Sequence, residues 1–483
     1  EIRFVKGVLS WFIAQIMSFQ EIVKLYDGET IQLEECIREK VEVLENKNKC
    51  KTFVLLDVGE IYRKLENWRH LLPRVEPFYA LKCNHHPLVA KVLADAGIGF
   101  DCASKKEIKQ ILKLGVDPKR IIYANTCKQK SYITYAGSKN VDLMTFDGVH
   151  ELIKIKDLFP DARLILRIQS NERHKAKHNF NTKCGCHRNH SKELLAQAWE
   201  MKLNVVGISF HVGSLPDDAE CFASTIADAH FVFQIGQSLG FNMTILDIGG
   251  GFPGIDDDGG KFEKIADVVN KSLDLYFPVS QGVRIIAEPG RYLITSAVTL
   301  AVNIIGKRIV RQNFKKKNQN GTTHLSLSPL NCNASHDKGR DSNMTHDIRR
   351  TDDDIRNNES LVYMYYVNDG VYGTLANVMT DSVVIQHKVL YREAQPDADA
   401  SPKKPSIIWG PSCDSLDCVV PDCNLPDLKV GEWLYFCNMG AYTLCLATDF
   451  NGIERPLVFP VCSKHYWNQM YPEGSPMLYL PYV

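Results

Sequence analysis

Neither sign of charge is in excess in this 483-residue chain: 57 basic and 57 acidic residues cancel. A balanced chain carries no long-range field toward nucleic acid or an anionic membrane, so bulk charge argues for neither partner. Long apolar runs are also missing. The nearest approach, Gly7 to Met17 after Lys6, is too short to span a bilayer and is interrupted by Gln15. It resembles a short signal-peptide core, yet Ser18-Phe19-Gln20-Glu21-Ile22 continues it as a polar, helix-like segment with no small-residue cleavage site. A disulfide framework is lacking too. The 15 cysteines are odd in number and scattered over a long chain, which fits reduced thiols in a cytoplasmic protein. What is present, 45% hydrophobic and 24% charged residues, is ordinary globular composition with room for two or three domains.

From about residue 77 to residue 290, short apolar runs alternate with amphipathic stretches. The runs include Phe78 to Leu81, Ile121 to Ala124, Leu164 to Leu166, Val205 to Phe210, Ile245 to Ile248 and Val283 to Ala287. Between them lie helical patterns such as Lys106 to Leu114, Lys192 to Leu203, Ala219 to Leu239 and Phe262 to Phe277. That alternation implies parallel strands joined by right-handed crossovers. Its length suits a (β/α)8 barrel spanning 58–296, with chemistry on the rim after each strand; an open doubly wound sheet is the alternative. After Ser296 the rhythm changes to separate strands, Val298 to Ile305, Ser360 to Val367, Ser406 to Trp409 and Trp433 to Phe436. The expectation is a second, all-β domain over 297–483, joined by the N-terminal segment 1–57. Within it, 312–359 is polar and poor in large apolar side chains, so it reads as a disordered insertion, and 394–405 reads as a mobile loop. Four glycosylation sequons in that insertion, at Asn320, Asn333, Asn343 and Asn358, arise easily in such a tract.

Four segments carry chemistry. In Pro77-Phe78-Tyr79-Ala80-Leu81-Lys82-Cys83-Asn84 a lysine closes an apolar strand. Desolvation there would lower its pKa and favour imine formation with an aldehyde; a solvated lysine after an edge strand is the plainer alternative. Asp247-Ile248-Gly249-Gly250-Gly251-Phe252-Pro253-Gly254 follows a strand, and its glycines let backbone amides approach a phosphate. It lacks both the Walker ending and the dinucleotide spacing. Glu288-Pro289-Gly290-Arg291 offers a cation for phosphate and a carboxylate for a protonated pyridine nitrogen. Each of these two loops could equally be a tight turn. Phe210-His211-Val212-Gly213-Ser214 sets an imidazole and a hydroxyl at a strand end, where a locally satisfied core histidine is the plainer alternative.

Together and in this order, these segments resemble the fold-type III pyridoxal-phosphate (PLP) decarboxylases, specifically the eukaryotic ornithine decarboxylase family. Gly99-Phe100-Asp101-Cys102-Ala103-Ser104-Lys105, Asn368 to Gly373, Trp409-Gly410-Pro411-Ser412-Cys413-Asp414 and Asn438 to Tyr442 extend the resemblance from about residue 52 to about residue 460. It implies a PLP-binding barrel plus a β domain, and decarboxylation of a basic amino acid, L-ornithine to putrescine in polyamine biosynthesis. By resemblance, Lys82 carries PLP as a Schiff base, Glu288 protonates its ring nitrogen and His211 stacks on the ring. Ser214, Gly249, Gly250, Gly251, Gly290, Arg291 and Tyr442 hold the phosphate, and Asp101 and Arg167 lie near the ring and Lys82. Cys413 assists protonation of the carbanion. Asp381 and Asp414 recognise the distal ammonium, with Tyr372 and Phe450 completing the substrate end. The resemblance also implies a homodimer with shared active sites, the Cys413 loop crossing over and Lys183 pairing with Asp417 between subunits.

Two departures stand out. Met379-Thr380-Asp381-Ser382 lacks the aromatic residue that the family usually has before this aspartate, which keeps lysine or a neutral amino acid open as substrate. Lys183-Cys184-Gly185-Cys186-His187-Arg188-Asn189-His190 has metal-ligand residue types, but no second cluster accompanies it, and it is read as an incidental loop with no metal. The same family contains antizyme inhibitors, which bind antizyme without catalysis. Retention of the whole residue set favours an enzyme. Antizyme binding stays open: the corresponding segment, Asp117 to Val141, keeps Lys119, Arg120, Lys128 and Lys130, and a solvated basic face is the plainer account.

Overall fold

Eight strands, each three to six residues long, pair in parallel around a closed ring. In chain order they are β1 (Val75–Ala80), β2 (Gly99–Cys102), β3 (Ile121–Tyr123), β4 (Leu143–Phe146), β5 (Arg163–Arg167), β6 (Asn204–Ser209), β7 (Ile245–Asp247) and β8 (Arg284–Ala287). Every strand neighbours the next in sequence, and β8 closes on β1 through Ile285 opposite Val75. Helices Pro87–Asp95, Lys105–Lys113, Lys130–Ser138, Val149–Leu158, Ser191–Glu200, Glu220–Ser238 and Lys261–Tyr276 make the crossovers. This is the barrel rather than the open sheet. The computed structural model describes residues 17–18, 23–171, 176–256, 259–313, 326–329, 359–381, 383, 385–391, 402–474 and 477–478.

The barrel interior is filled by Phe78, Ile122, Leu143, Ile165, Val206, Ile245 and Ile286, one from each strand except β2. Glycine on β2 explains the gap: a Cβ on Gly99 would sit 2.5 Å from the Phe78 ring, so Gly99 makes the space that the ring occupies. Strands β2 and β4 are absent from the apolar runs named above. Each is four residues long, and β2 gives two of them to Gly99 and Asp101, so neither shows the sustained apolar run that betrays a buried strand.

The second domain is a sheet in which strand Val298–Asn313 is the hub. Its first half pairs with Phe53–Asp57 and Trp433–Phe436, and its second half with Glu359–Val367 across a register shift between Ile304 and Gly306. Lys24–Tyr26 joins at the far edge beside Leu457–Ser463. The N-terminal segment thus adds two strands to this sheet. Of the segment 312–359, Gln312, Asn313, 326–329 and Glu359 lie in paired strands, and the remainder lies outside the described residues. So do residues 1–16, which hold most of the apolar N-terminal stretch, and 394–401 of the second loop. No helix among the described residues is long and apolar enough to cross a membrane.

Candidate active site

The ends of strands β1 to β3 and β5 to β8 and the loop 438–442 of the β domain surround one cavity of about 300 Å³. Lys82 begins it. The apolar β1 strand ends at Ala80 and turns into a single 3-10 turn, Leu81–Cys83, which buries Leu81 and Cys83 and turns Lys82 into the cavity. Its side chain keeps 42% of its accessibility while Asp101, at the end of β2, keeps none; Lys82 Nζ donates to Asp101 Oδ2 at 2.8 Å. Burial alone would push the ammonium down, as expected from the sequence. The carboxylates of Asp101 and Glu288 outweigh it and hold Lys82 above the lysine range, so that expectation is reversed.

Beneath the same cavity lies a second pair of carboxyls. Asp247 ends β7 and Glu288 follows β8, adjacent strands in register at Asp247 and Ile286. Burial, then the charges of Asp247 and Asp101, push Glu288 well above the carboxylate range. Burial likewise pushes Asp247 up to about 7, partly offset by the Gly249 N–H that donates to its Oδ1 at 2.9 Å. Two buried carboxyls this close titrate as a unit and keep a proton between them near neutrality.

His211 is neutral for a physical reason. Burial, with Arg167 and Lys82 nearby, pushes it well below the histidine range, and the Gly213 N–H donates to its Nδ1 at 3.0 Å. The ring proton therefore sits on Nε2. Phe180 packs edge-on against the ring at 4.9 Å.

The glycine loop is a cradle that a Cβ would fill. Gly249 has φ +64 and Gly251 φ +110, and a Cβ on Gly250 would lie 2.9 Å from both Glu288 O and His211 Nε2. Across from it Arg291 Nη2 reaches Ser214 Oγ at 3.4 Å and Asp381 Oδ2 at 2.8 Å, with its guanidinium 4.9 Å from the Tyr442 ring centroid. Tyr442 arrives from the β domain: its N–H donates to Cys83 O, and Asn84 Nδ2 donates to Gly440 O. A Cβ on Gly440 would overlap Ile294 O at 1.7 Å, so only glycine allows this docking. The glycine loop and the loop of Arg291 rest on one aromatic cluster, in which Trp68 meets Phe252 at 4.7 Å, Tyr292 at 5.4 Å and Phe262 at 5.7 Å.

A PLP-like group fits this donor set. Lys82 offers the amine, Arg291, Ser214 and the glycine amides face an anion, and a protonatable carboxyl pair stands opposite. Asp101 Oδ1 and Asp247 Oδ2 are buried with no hydrogen-bond partner, which leaves acceptors for a ligand.

Tyr372, Cys413, Asp414 and Phe450, assigned to the same chemistry, form a separate cluster that does not line this cavity. Tyr372 Oη donates to Asp414 Oδ2 at 2.5 Å, and its ring packs tilted against Phe450 at 4.5 Å between centroids. Cys413 is exposed beside them, its N–H bound by Asn451 Oδ1. Asp381 and Asp414 are thus held in different clusters of one chain. Asp417, expected opposite Lys183 of a second subunit, is held within its own chain. Its carboxylate is 1% exposed and accepts the N–H groups of Val371 and Ser412, which makes it a turn bracket. Cys184 lines the cavity, Cys186 is buried beside Ile168, and the His187 ring accepts the Asn189 N–H. Among the described residues no three His, Cys, Asp or Glu side chains converge on a metal position. Arg120 is half-buried and donates to Ile98 O and Ala94 O, and Lys128 is buried against Glu151, so neither of these two stands free on a solvated face. Asp247, Phe180 and Cys184 were given no place at this site from sequence; for Asp247 the signal was there, a carboxylate closing an apolar strand just before three glycines.

A family model described as pyridoxal-dependent decarboxylase, pyridoxal binding domain, matches residues 58–295. An ornithine decarboxylase of Mus pahari is 44% identical over 89% of this chain and 85% of its own length. Antizyme inhibitor 2 of Xenopus laevis is 40% identical over 90% of this chain and 85% of its own. Among solved structures, the arginine decarboxylase of Paramecium bursaria Chlorella virus superposes with a TM-score of 0.73 at 30% identity, covering 88% of this chain and all of that one.

Proposed function

Because the chain belongs to the pyridoxal-dependent decarboxylase family, we propose that it converts L-ornithine to putrescine, as a homodimer with shared active sites in a reducing cytoplasm. One observation carries the reading: the Lys82–Asp101 pair, the Asp247–Glu288 carboxyls and the Arg291–glycine cradle converge on one cavity. The described cysteines are all free thiols, which fits the compartment.

When bound, PLP supplies an aldehyde that captures amines and a ring that delocalises the electron pair left by departing CO2. Lys82 would hold it covalently, Glu288 would keep the proton on its ring nitrogen, and Arg291, Ser214, Tyr442 and the Gly249 to Gly251 amides would hold its phosphate, with Gly290 leaving room. A neutral His211 presents a flat face without a competing charge, and Arg167 balances the acidic floor. Asp381 takes the distal ammonium; Asp414, Tyr372 and Phe450 of the partner subunit complete that end. Cys413 of the partner subunit returns a proton from its Sγ to the substrate α-carbon, so that an amine leaves. The homodimer accounts for the division of the residue set between two clusters of one chain.

The purified chain should show visible absorbance with PLP, abolished in Lys82→Ala, and should release CO2 fastest from ornithine in an amino-acid panel. An Asp414→Ala variant with unchanged preference would refute the diamino-acid assignment. Thr380 stands before Asp381 in place of an aromatic residue and turns its hydroxyl back to Ala376 O, so lysine and arginine belong in the panel. The antizyme inhibitor relative supports a second reading, a non-catalytic antizyme-binding protein; neither absorbance nor amine product would favour it.

A further inference from the structure

The carboxylate of Asp381 is asymmetric. Oδ2 is taken by Arg291 at 2.8 Å, whereas Oδ1 faces His178 Nε2 at 3.5 Å. That approach lacks hydrogen-bond geometry, and Nε2 is a buried nitrogen without any hydrogen-bond partner. His178 is held there by its element. It lies in strand Ala176–His178, which pairs antiparallel with Ser214–Pro216, His178 standing opposite Ser214. Gly213 permits the close approach: a Cβ there would lie 2.5 Å from Ala176 Cβ and 2.7 Å from His178 O. The pairing therefore places His178 on the same rim as Ser214, the hydroxyl that Arg291 also reaches.

An imidazole with its proton on Nδ1 is an acceptor at Nε2, and a carboxylate oxygen is always an acceptor. Facing Asp381 alone, the imidazole can carry its proton on Nε2; a group rich in N–H that enters between them shifts the proton to Nδ1, so that both Nε2 and Oδ1 accept. A primary ammonium has three such donors, needs partners for them when desolvated, and is small enough to lie between two side chains. A neutral side-chain end has nothing to give either atom.

Resting on the reading of Asp381 as the distal-ammonium carboxylate, we propose that His178 is a further specificity-determining residue. Its Nε2 and Asp381 Oδ1 form a two-acceptor seat for the terminal ammonium of a diamino-acid substrate. The seat selects charged over neutral amino acids and, by its fixed place on the rim, contributes to the choice between ornithine and lysine.

The test is steady-state kinetics of the PLP-loaded enzyme with L-ornithine, L-lysine and L-norvaline, for wild type, His178→Ala and His178→Gln. Expected for His178→Ala is a KM for ornithine raised about ten-fold, the loss of one charge-assisted hydrogen bond, with kcat changed less than about two-fold. His178→Gln, which keeps an acceptor, should recover part of the loss, while norvaline kinetics and PLP absorbance should not move. Equal losses on ornithine and norvaline, or an unchanged KM for ornithine, overturn the seat while leaving ornithine decarboxylation standing. A wild type that prefers norvaline to both diamino acids overturns the seat and the underlying reading together.

Discussion

At the scale of single residues, the most consequential group is the Asp247–Glu288 pair, because its charge state depends on what surrounds it. Burial raises both carboxyls; the charge of Asp247 raises Glu288 further, whereas the hydrogen bond with Glu288 partly offsets the rise at Asp247. A carboxyl raised in the folded state binds its proton more tightly there than in the unfolded chain. Its stabilisation is complete below the unfolded value near 4, and for Asp247 it is lost as pH rises toward about 7. Without added PLP, stability should therefore decline from pH 5 to pH 8 by on the order of 1–3 kcal/mol through this pair. Asp247→Asn keeps an acceptor for the Gly249 N–H but removes one titrating group, so its urea midpoint should fall less over that range. A variant that declines as steeply as the wild type would show that the pair is not the source. Lys82 teaches a related lesson. A lysine ending an apolar strand argues for a lowered pKa until Asp101 is placed 2.8 Å away, and that neighbour lies 19 residues off in sequence.

Elements set where such groups point, and glycines do so in two separable ways. Gly207 lies within β6, and a Cβ there would be 2.2 Å from Ile245 O on β7; the barrel wall has no way to yield. Gly250 lies beyond β7, where a Cβ would press on Glu288 O and His211 Nε2 at the cavity. Gly207→Ala should accordingly lower global stability by about 2–4 kcal/mol, as overpacking does. Gly250→Ala should melt near the wild-type temperature yet bind PLP at least about ten-fold more weakly, read by absorbance titration. Reversal of that order would mean that the loop, not the wall, is the rigid part. The same contrast explains what could be read from sequence. Lys82, the glycine loop, Glu288 and Arg291 all end or follow sustained apolar strands, and a barrel puts such residues on one rim. β2 and β4 are too short, and β2 too rich in Gly and Asp, to announce themselves. The Asp381–Arg291 contact and the Tyr442 docking join residues 90 and 359 apart through turns with no periodic pattern. The buried role of Asp417 was hidden similarly, because an aspartate in a turn reads alike whether it brackets amides or faces solvent.

For the whole molecule the question is how a residue set divided between two places can act at once. The cavity holds Lys82, Glu288 and Arg291, while Cys413, Asp414, Tyr372 and Phe450 stand on a separate surface that leaves Cys413, Leu416 and Phe450 exposed. If the exposed thiol delivers a proton as proposed, its place next to exposed apolar side chains is better explained by a second copy facing it than by water. If each site takes Lys82 from one chain and Cys413 from the other, a Lys82→Ala chain and a Cys413→Ala chain fail separately. In a mixed dimer one site carries both changes and its counterpart carries neither. Equal amounts of the two variants, exchanged at random, make half the dimers mixed, so about a quarter of the sites become intact. Activity should thus rise on mixing from near zero to about a quarter of the wild type, and should stop rising once exchange is complete. Sites built within one chain would leave the mixture as inactive as its parts, and the place of Cys413 on the outer surface would then need another explanation.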